Sequence, residues 1–221
     1  MKAIILIGLL CAGAFTTSAQ GTFVNLNFES ATVPYSTTTG YLVPAAAAFP
    51  GWTVYYGGTP QSTVAYNSVV PTGGIFLWAR DFADLNPVPA SFGLFSAIPG
   101  PSESINVALS QAGMIPVGAN YLQFETFDNA FISSANFQIR FGSTALALQQ
   151  ISRSGSLISW QADLSGLDGQ TDELRLTMLH TAGIPGGFRL DNLQFVPEPG
   201  TWALLALGGA LLGCGMIRRK N

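Results

Sequence analysis

Hydrophobic and polar residues alternate over short segments along most of the chain, the pattern expected of strands with one buried face. The clearest case is Phe137–Phe141, which reads apolar, polar, apolar, polar, apolar. Similar segments recur at residues 23–28, 52–56, 75–79, 105–109, 121–127, 158–164, 174–180 and 188–195. In the first of them Val24, Leu26 and Phe28 share one predicted face.

Turn-forming residues separate these segments. Gly, Pro and Asp-Gly combinations occur at residues 56–60, 71–74, 98–101, 168–169 and 185–187. No stretch between them keeps a 3.6-residue period with helix caps, so we expect helix only in the two terminal segments. Many short strands without helical crossovers predict an all-β domain, an antiparallel β-sandwich with jelly-roll-like topology.

The N-terminus predicts a signal peptide over residues 1–19. Lys2 supplies a positive charge, residues 3–15 are apolar, and small residues precede a cleavage position after Ala19. Signal peptidase is therefore an expected processing enzyme, and the protein is expected to be exported. An alternative is lipidation at Cys11, which lies in a weakly lipoprotein-like context inside the apolar run.

The C-terminus predicts a second membrane segment. Residues 201–217 carry no charge and number about 17, the short end of what spans a bilayer. The cations Arg218, Arg219 and Lys220 follow, which places the C-terminus in the cytoplasm. Pro197, Glu198 and Pro199 precede the apolar run, and the prolines favour an extended approach to it.

This order of parts resembles the PEP-CTERM sorting signal of bacterial surface proteins. The resemblance covers residues 196–221 and implies recognition and removal of the tail by an exosortase. We therefore expect the protein at the cell surface or outside the cell, held only transiently in the inner membrane by residues 201–217. A plain single-span C-terminal anchor is the alternative. The expected organisation is signal peptide 1–19, sandwich 20–196 and tail 197–221.

Composition changes once both ends are set aside. Residues 20–198 contain five arginines, no lysine and all twelve acidic residues, a net charge of −7. Such a surface repels phosphate backbones, which argues against nucleic-acid binding. Both cysteines lie in the terminal segments, so the body has neither a disulfide nor a thiol nucleophile.

Signals of catalysis are sparse, and we expect the protein not to be an enzyme. His180 is the only histidine and ends an apolar strand, where packing is the commoner role. Glycoside hydrolysis needs only two suitably spaced carboxylates, so a surface polysaccharide hydrolase or lyase is the alternative function. The carboxylates that could serve are Glu29, Asp81, Asp84, Glu103, Glu125 and Asp128.

The two ends of the body carry a second resemblance. Residues 25–30 (Asn-Leu-Asn-Phe-Glu-Ser), residues 50–53 (Pro-Gly-Trp-Thr) and residues 188–195 (Phe-Arg-Leu-Asp-Asn-Leu-Gln-Phe) resemble the first and last strands of carbohydrate-binding jelly rolls. That resemblance implies a structural calcium held by Glu29 and Asp191, since carboxylates and backbone carbonyls suit this ion. The alternative is that both are ordinary polar residues at strand ends. No other cofactor is expected.

Aromatic residues provide the remaining indication of binding. Tyr55, Tyr56 and Tyr66 lie near glycine-rich turns, and Trp78 adjoins polar residues. Sugar recognition combines ring faces with hydrogen-bonding side chains, although a sandwich core also needs such rings. The sequence therefore predicts a non-catalytic surface or extracellular-matrix protein whose possible ligand is a glycan or exopolysaccharide.

Overall fold

The structure, a computed structural model, describes residues 21–38, 40–68, 73–82, 88–100, 105–127, 136–180 and 187–197. Within these ranges helix is limited to one turn, α1 (Ala45–Ala48), and a 3-10 turn (Ala90–Phe92). None of the helices described there has the length and hydrophobicity to cross a membrane. The predicted signal peptide and the predicted apolar span 201–217 lie outside the described residues.

The strands form two sheets, and their numbers follow chain order. The eight-stranded sheet has the order β1 (Tyr41–Pro44), β4 (Thr63–Tyr66), β5 (Gly74–Ala79), β6 (Phe95–Gly100), β14 (Arg189–Pro197), β8 (Ala119–Phe127), β12 (Leu157–Asp163) and β11 (Leu148–Ser154). The six-stranded sheet has the order β10 (Thr144–Ala145), β9 (Phe137–Phe141), β13 (Thr171–Met178), β7 (Val107–Met114), β2 (Thr53–Tyr56) and β3 (Thr59–Pro60).

The chain passes repeatedly from one sheet to the other. Strands β7, β8 and β9 alternate between the sheets, as do β12, β13 and β14. Neighbours are antiparallel except for β4 and β5, which pair in parallel. This arrangement confirms the predicted all-β fold class, a jelly-roll-like sandwich.

Aromatic side chains from both sheets meet in the core. Phe124 of β8 stacks on Trp160 of β12 at 6.4 Å and meets Phe137 of β9 edge-on at 5.7 Å. Phe188 packs edge-on against Phe137 at 5.2 Å. Edge-to-face pairs of this kind stabilise by about 0.5–1.5 kcal/mol beyond burial of their area. The indole N–H of Trp160 donates to Thr126 Oγ1 at 2.9 Å, so this large ring is buried with its polar atom satisfied.

The predicted first strand, residues 23–28, is wrong as secondary structure. These residues form turns in which Asn25 and Phe28 have positive φ values of 52° and 57°. Val24 is 51% exposed, so it does not share a buried face with Leu26 and Phe28. The segment nevertheless packs against strand β14, because Leu193 N donates to Leu26 O at 3.1 Å.

Three other local expectations are corrected. Residues 98–100, predicted as a turn, end strand β6, where Pro99 lies opposite Ile75. The alanines of α1 add one helical turn outside the terminal segments. Strand β11 was not predicted, because none of its residues is buried and no alternation marks it.

Candidate functional site

A bulge in strand β14 determines how its polar residues are arranged. Asp191 pairs with Glu125 of β8 and Gln194 pairs with Gln123, so two residues of β14 oppose one of β8. Asn192 adopts φ 55°, a left-handed conformation that asparagine tolerates better than most residues. The bulge turns Leu193 into the core while Asn192 stays at the outer side of the sheet.

Asp191 is buried on that outer side. It is 1% exposed, and its Oδ1 accepts the N–H of Asn192 at 2.7 Å. Its Oδ2 is buried without a hydrogen bond among the described residues. Burial, together with the nearby charges of Glu29 and Glu125, raises the pKa of Asp191 to about 9, against the smaller opposite effect of the Asn192 hydrogen bond.

Glu29 reaches the same region from the N-terminal segment. Its Oε1 accepts the backbone N–H groups of Leu94 and Phe95 at 2.8 and 2.9 Å. Gly93, with φ +41°, lies against this carboxylate, and a β-carbon at that position would collide with Glu29 Oε1. The loop before Glu29 is held by Asn25, whose Oδ1 accepts the N–H of Ser30 at 2.9 Å. Glu29 is therefore fixed at the start of β6.

The two predicted calcium ligands are thus brought into electrostatic contact. Ser96 of β6 has a buried hydroxyl without a hydrogen bond among the described residues, and it adjoins Ala97, which pairs with Leu190. Groups of three or more metal-ligating His, Cys, Asp or Glu side chains are absent from the described ranges. Glu29 and Asp191 could supply carboxylate oxygens, the kind of donor that calcium prefers. The buried Asp191 Oδ2 is the oxygen left open to such a cation.

A polar groove of about 520 Å³ lies on the outer side of the bulge. Asn192 shapes one side of it, because its Nδ2 donates to Glu125 Oε2 at 2.8 Å and also to Ser91 O. Hydroxyl and amide side chains supply most of the remaining polar lining: Asn27, Ser91, Gln123, Ser152, Ser159 and Gln194. Among the groove's lining residues the one carboxylate is Glu125. The groove thus offers many hydrogen-bond donors and acceptors and little charge.

The aromatic residues singled out in the sequence separate into two groups. Tyr66 is fully buried, and its hydroxyl donates to Ser36 O at 3.1 Å. Trp78 packs edge-on against Phe82 at 5.4 Å, and its indole N–H donates to Ser68 O. Tyr55, in contrast, lines a second groove on the six-stranded sheet. Tyr55 therefore lies where a ligand could reach its ring, whereas Tyr56 is partly buried against the core.

The structure does not gather the possible catalytic carboxylates into one described cleft. Asp81 accepts the hydroxyl of Tyr35 at 2.5 Å and lies 3.7 Å from Arg80, while Glu125 lies in the polar groove. Asp84, Glu103 and Asp128 lie outside the described residues. His180 is half-buried just beyond β13, with its backbone N–H on Asn106 Oδ1 at 2.6 Å.

The sorting motif begins inside the last strand. Pro197 is the final residue of β14 and lies opposite Ala119. Glu198, Pro199, Arg218, Arg219 and Lys220 lie outside the described residues. The predicted end of the body at residue 196 thus falls one residue before the end of the last described strand.

Sequence comparison identifies the tail. A protein-family model described as the PEP-CTERM protein-sorting motif matches residues 195–220. The chain therefore carries this sorting signal, which indicates an exported, exosortase-processed surface protein. No curated protein matches the chain.

Solved structures resemble the body only distantly. The enzymatically active domain of tailspike protein 4 from bacteriophage CBA120 matches 78% of this chain at 14% identity and TM-score 0.37, although the chain spans only 21% of that protein. TmCBM61, solved with beta-1,4-galactotriose, matches 81% of this chain and 99% of its own at 13% identity and TM-score 0.34. A family 11 carbohydrate-binding module from Clostridium thermocellum, solved with a beta-1,3-1,4-mixed-linked tetrasaccharide, matches 73% of this chain and 98% of its own at 9% identity and TM-score 0.35. Likenesses at this level are too weak to bear on function.

The pKa of Asp191 leads to a prediction about stability. The folded pKa of about 9 lies above the unfolded value of about 3.9, so the folded state holds this proton more tightly. In chelator, the contribution of the protonated Asp191 to the free energy of unfolding is complete below about pH 4. It is lost as pH rises toward 9, by at most about 1.4 kcal/mol per pH unit. Asp191→Asn removes this dependence. Urea unfolding at pH 5, 6, 7 and 8 should show the variant gaining steadily on the wild type.

Asp163→Asn is the matched control. Hydrogen bonds from Ser165 lower the pKa of the exposed Asp163, so the contribution of Asp163 to stability is lost only at acidic pH. Between pH 5 and 8 the stability of Asp163→Asn should therefore change with pH in the same way as that of the wild type. Parallel curves for wild type and Asp191→Asn over that range would contradict the assignment of Asp191 as the buried titrating group.

Proposed function

We propose that the mature protein is a non-catalytic surface or extracellular-matrix protein that binds glycans in the polar groove of the eight-stranded sheet. The C-terminal tail directs the protein to the cell surface. Residues 201–217 hold the precursor in the inner membrane until an exosortase acts on the Pro-Glu-Pro region. The sorting motif at residues 195–220 supports the route. The observation that carries the binding role is the groove itself.

The lining of the groove suits sugar hydroxyls. Amides and hydroxyls each offer both donors and acceptors, as a polyol ligand requires. The volume of about 520 Å³ falls within the range of small-molecule sites. Asn192 is held by two hydrogen bonds, so part of this polar surface is ordered before a ligand arrives.

The same lining disfavours hydrolysis in this groove. A glycosidase places two carboxyl groups about 5–10 Å apart on either side of the scissile bond. Among the residues that the structure describes, Glu125 is the only carboxylate that lines this groove. Asp191, although adjacent in the sheet, is 1% exposed and cannot contact a bound sugar. Binding without catalysis is the function that this groove supports.

Calcium at Glu29 and Asp191 is the second part of the proposal. The cation would keep the buried Asp191 ionised and satisfy its unpartnered oxygen. It would also tie the N-terminal segment to β14 directly behind the groove residues Glu125 and Asn192. Its role there would be structural, because Asp191 is buried and absent from the groove lining.

The first prediction concerns processing. The mature surface protein should lack the residues beyond the Pro-Glu-Pro region, because the tail is a signal that an exosortase removes. Intact-mass spectrometry of the protein released from the cell surface measures this directly. Retention of Arg218, Arg219 and Lys220 in the mature pool would favour a permanent anchor.

The second prediction concerns the groove. On a glycan array, the full chain in detergent should bind a subset of neutral oligosaccharides. Gln123→Ala should weaken that binding about three- to tenfold, the loss of one net hydrogen bond. Gln161→Ala is the matched control, because Gln161 lies beside Gln123 on the same sheet but outside this groove. Equal weakening by the two variants, or no bound glycan at all, would overturn the assignment.

The third prediction concerns calcium. An ion that binds only the folded state raises stability by about 2.7 kcal/mol at a hundredfold excess over Kd. Melting curves of the wild type in calcium and in chelator should differ accordingly. Asp191→Ala should lose this increment, with little loss of stability in chelator because the buried carboxyl disappears. Identical wild-type curves in calcium and in chelator would remove the ion from the proposal.

A further inference from the structure

Two arginines lie side by side on the outer face of the six-stranded sheet. Arg175 of β13 pairs directly with Arg140 of β9, so both side chains project from the same face at the spacing of cross-strand neighbours. Along β13, Glu173 and Thr177 flank Arg175 on this face, whereas Leu174 and Leu176 enter the core. The arginines are two of only five in residues 20–198.

Tyr55 holds one of these guanidinium groups in place. The Arg175 Cζ lies 4.3 Å from the centre of the Tyr55 ring, a cation–π contact that spans the intervening strand β7. This contact is possible because Ala108, between Tyr55 and Thr177 in the sheet, has a small side chain. The charge of Arg175 is thereby positioned by an aromatic ring.

The stacked pair lines a second groove, of about 600 Å³. The Gly57–Gly58 turn, Asn106 and Thr177 line the same groove. Asn106 is fixed on both sides, since its carbonyl accepts the N–H of Gly57 at 2.9 Å and its Oδ1 accepts the N–H of His180 at 2.6 Å. A positive group therefore lies next to ordered polar groups and a concave surface.

Each of the two guanidinium groups has a partner on the protein. Arg175 Nη1 lies 3.6 Å from Glu173 Oε1, and Arg140 Nη2 donates to Ser143 O. Like charges directly opposite in a sheet are destabilising, and an anionic ligand beside the two paired arginines would offset that effect.

We propose that this second groove binds the anionic groups of an acidic polysaccharide. Arg175, which lines the groove, would pair with a carboxylate or sulfate, for which the planar guanidinium offers parallel N–H donors. Its cross-strand neighbour Arg140 would add positive charge beside the groove. Asn106 and Thr177 would contact the neighbouring hydroxyls. The site lies on the opposite sheet from the polar groove and does not depend on the glycan binding proposed there.

Three polymers distinguish the ligand class: alginate carries carboxylates, dextran sulfate carries sulfate esters, and dextran is neutral. Binding by the full chain in detergent is measured by isothermal titration calorimetry at low and moderate salt. We expect binding to alginate or dextran sulfate that weakens with salt, and at least a tenfold preference over dextran. Whichever anionic polymer binds more tightly identifies the favoured group.

Substitutions of single arginines test which residues form the site. Arg175→Gln should lower affinity for the anionic polymer at least tenfold, and Arg140→Gln should lower it by a smaller factor. Arg153→Gln is the matched control, since Arg153 lies on the other sheet in strand β11. Arg140→Gln removes the cross-strand neighbour of Arg175 and leaves Arg175 itself in place, so it tests the site even if Arg175→Gln is unstable. The proposal is overturned if the wild type binds neither anionic polymer at low salt, or if all three variants weaken binding equally.

Discussion

The last strand occupies the middle of the larger sheet, and the rest of the body depends on this placement. Strand β14 lies between β6 and β8 and pairs with both, so it joins the two parts of the sheet. Most of its contacts join residues far apart in sequence, a topology that delays folding until the distant segments meet. The same strand carries the bulge, the buried Asp191 and the first residue of the sorting motif. Formation of the whole sheet and assembly of the candidate site therefore both require that β14 is in place.

No disulfide holds this arrangement together, because residues 20–198 contain no cysteine. The core compensates with aromatic volume, in which the rings of Phe23, Phe124 and Phe195 are almost wholly buried. Phe23 lies 5.3 Å from Phe195, so the irregular N-terminal segment is packed on β14 by apolar contact as well as by the Leu193–Leu26 hydrogen bond. That packing brings Glu29 to the start of β6. The position of Glu29 in the candidate site therefore depends on the aromatic packing of the core.

The sequence indicated the fold class because a period of two survives wherever one strand face is buried, as in Phe137–Phe141. It could not indicate β11, an exposed edge strand without that period, nor the turns at residues 23–28, where alternation is coincidental. Asp191 and Glu29 were reached through resemblance to known proteins. Ser96 and Gln123 were missed, because their roles depend on which strands lie next to β14. The pairing of Arg140 with Arg175 likewise follows from register, which no local pattern specifies.

The last described strand and the sorting motif share Pro197. Proline has no backbone N–H and cannot continue a sheet as a donor, so strands tend to end at it. In β14 the pairing with β8 becomes irregular between Val196 and Pro197, and Pro197 lies opposite Ala119. The first proline of the sorting motif therefore interrupts the regular hydrogen-bond donors of the strand that carries Asp191 and Asn192. The matched sorting motif thus begins within the strand on which the candidate site is built.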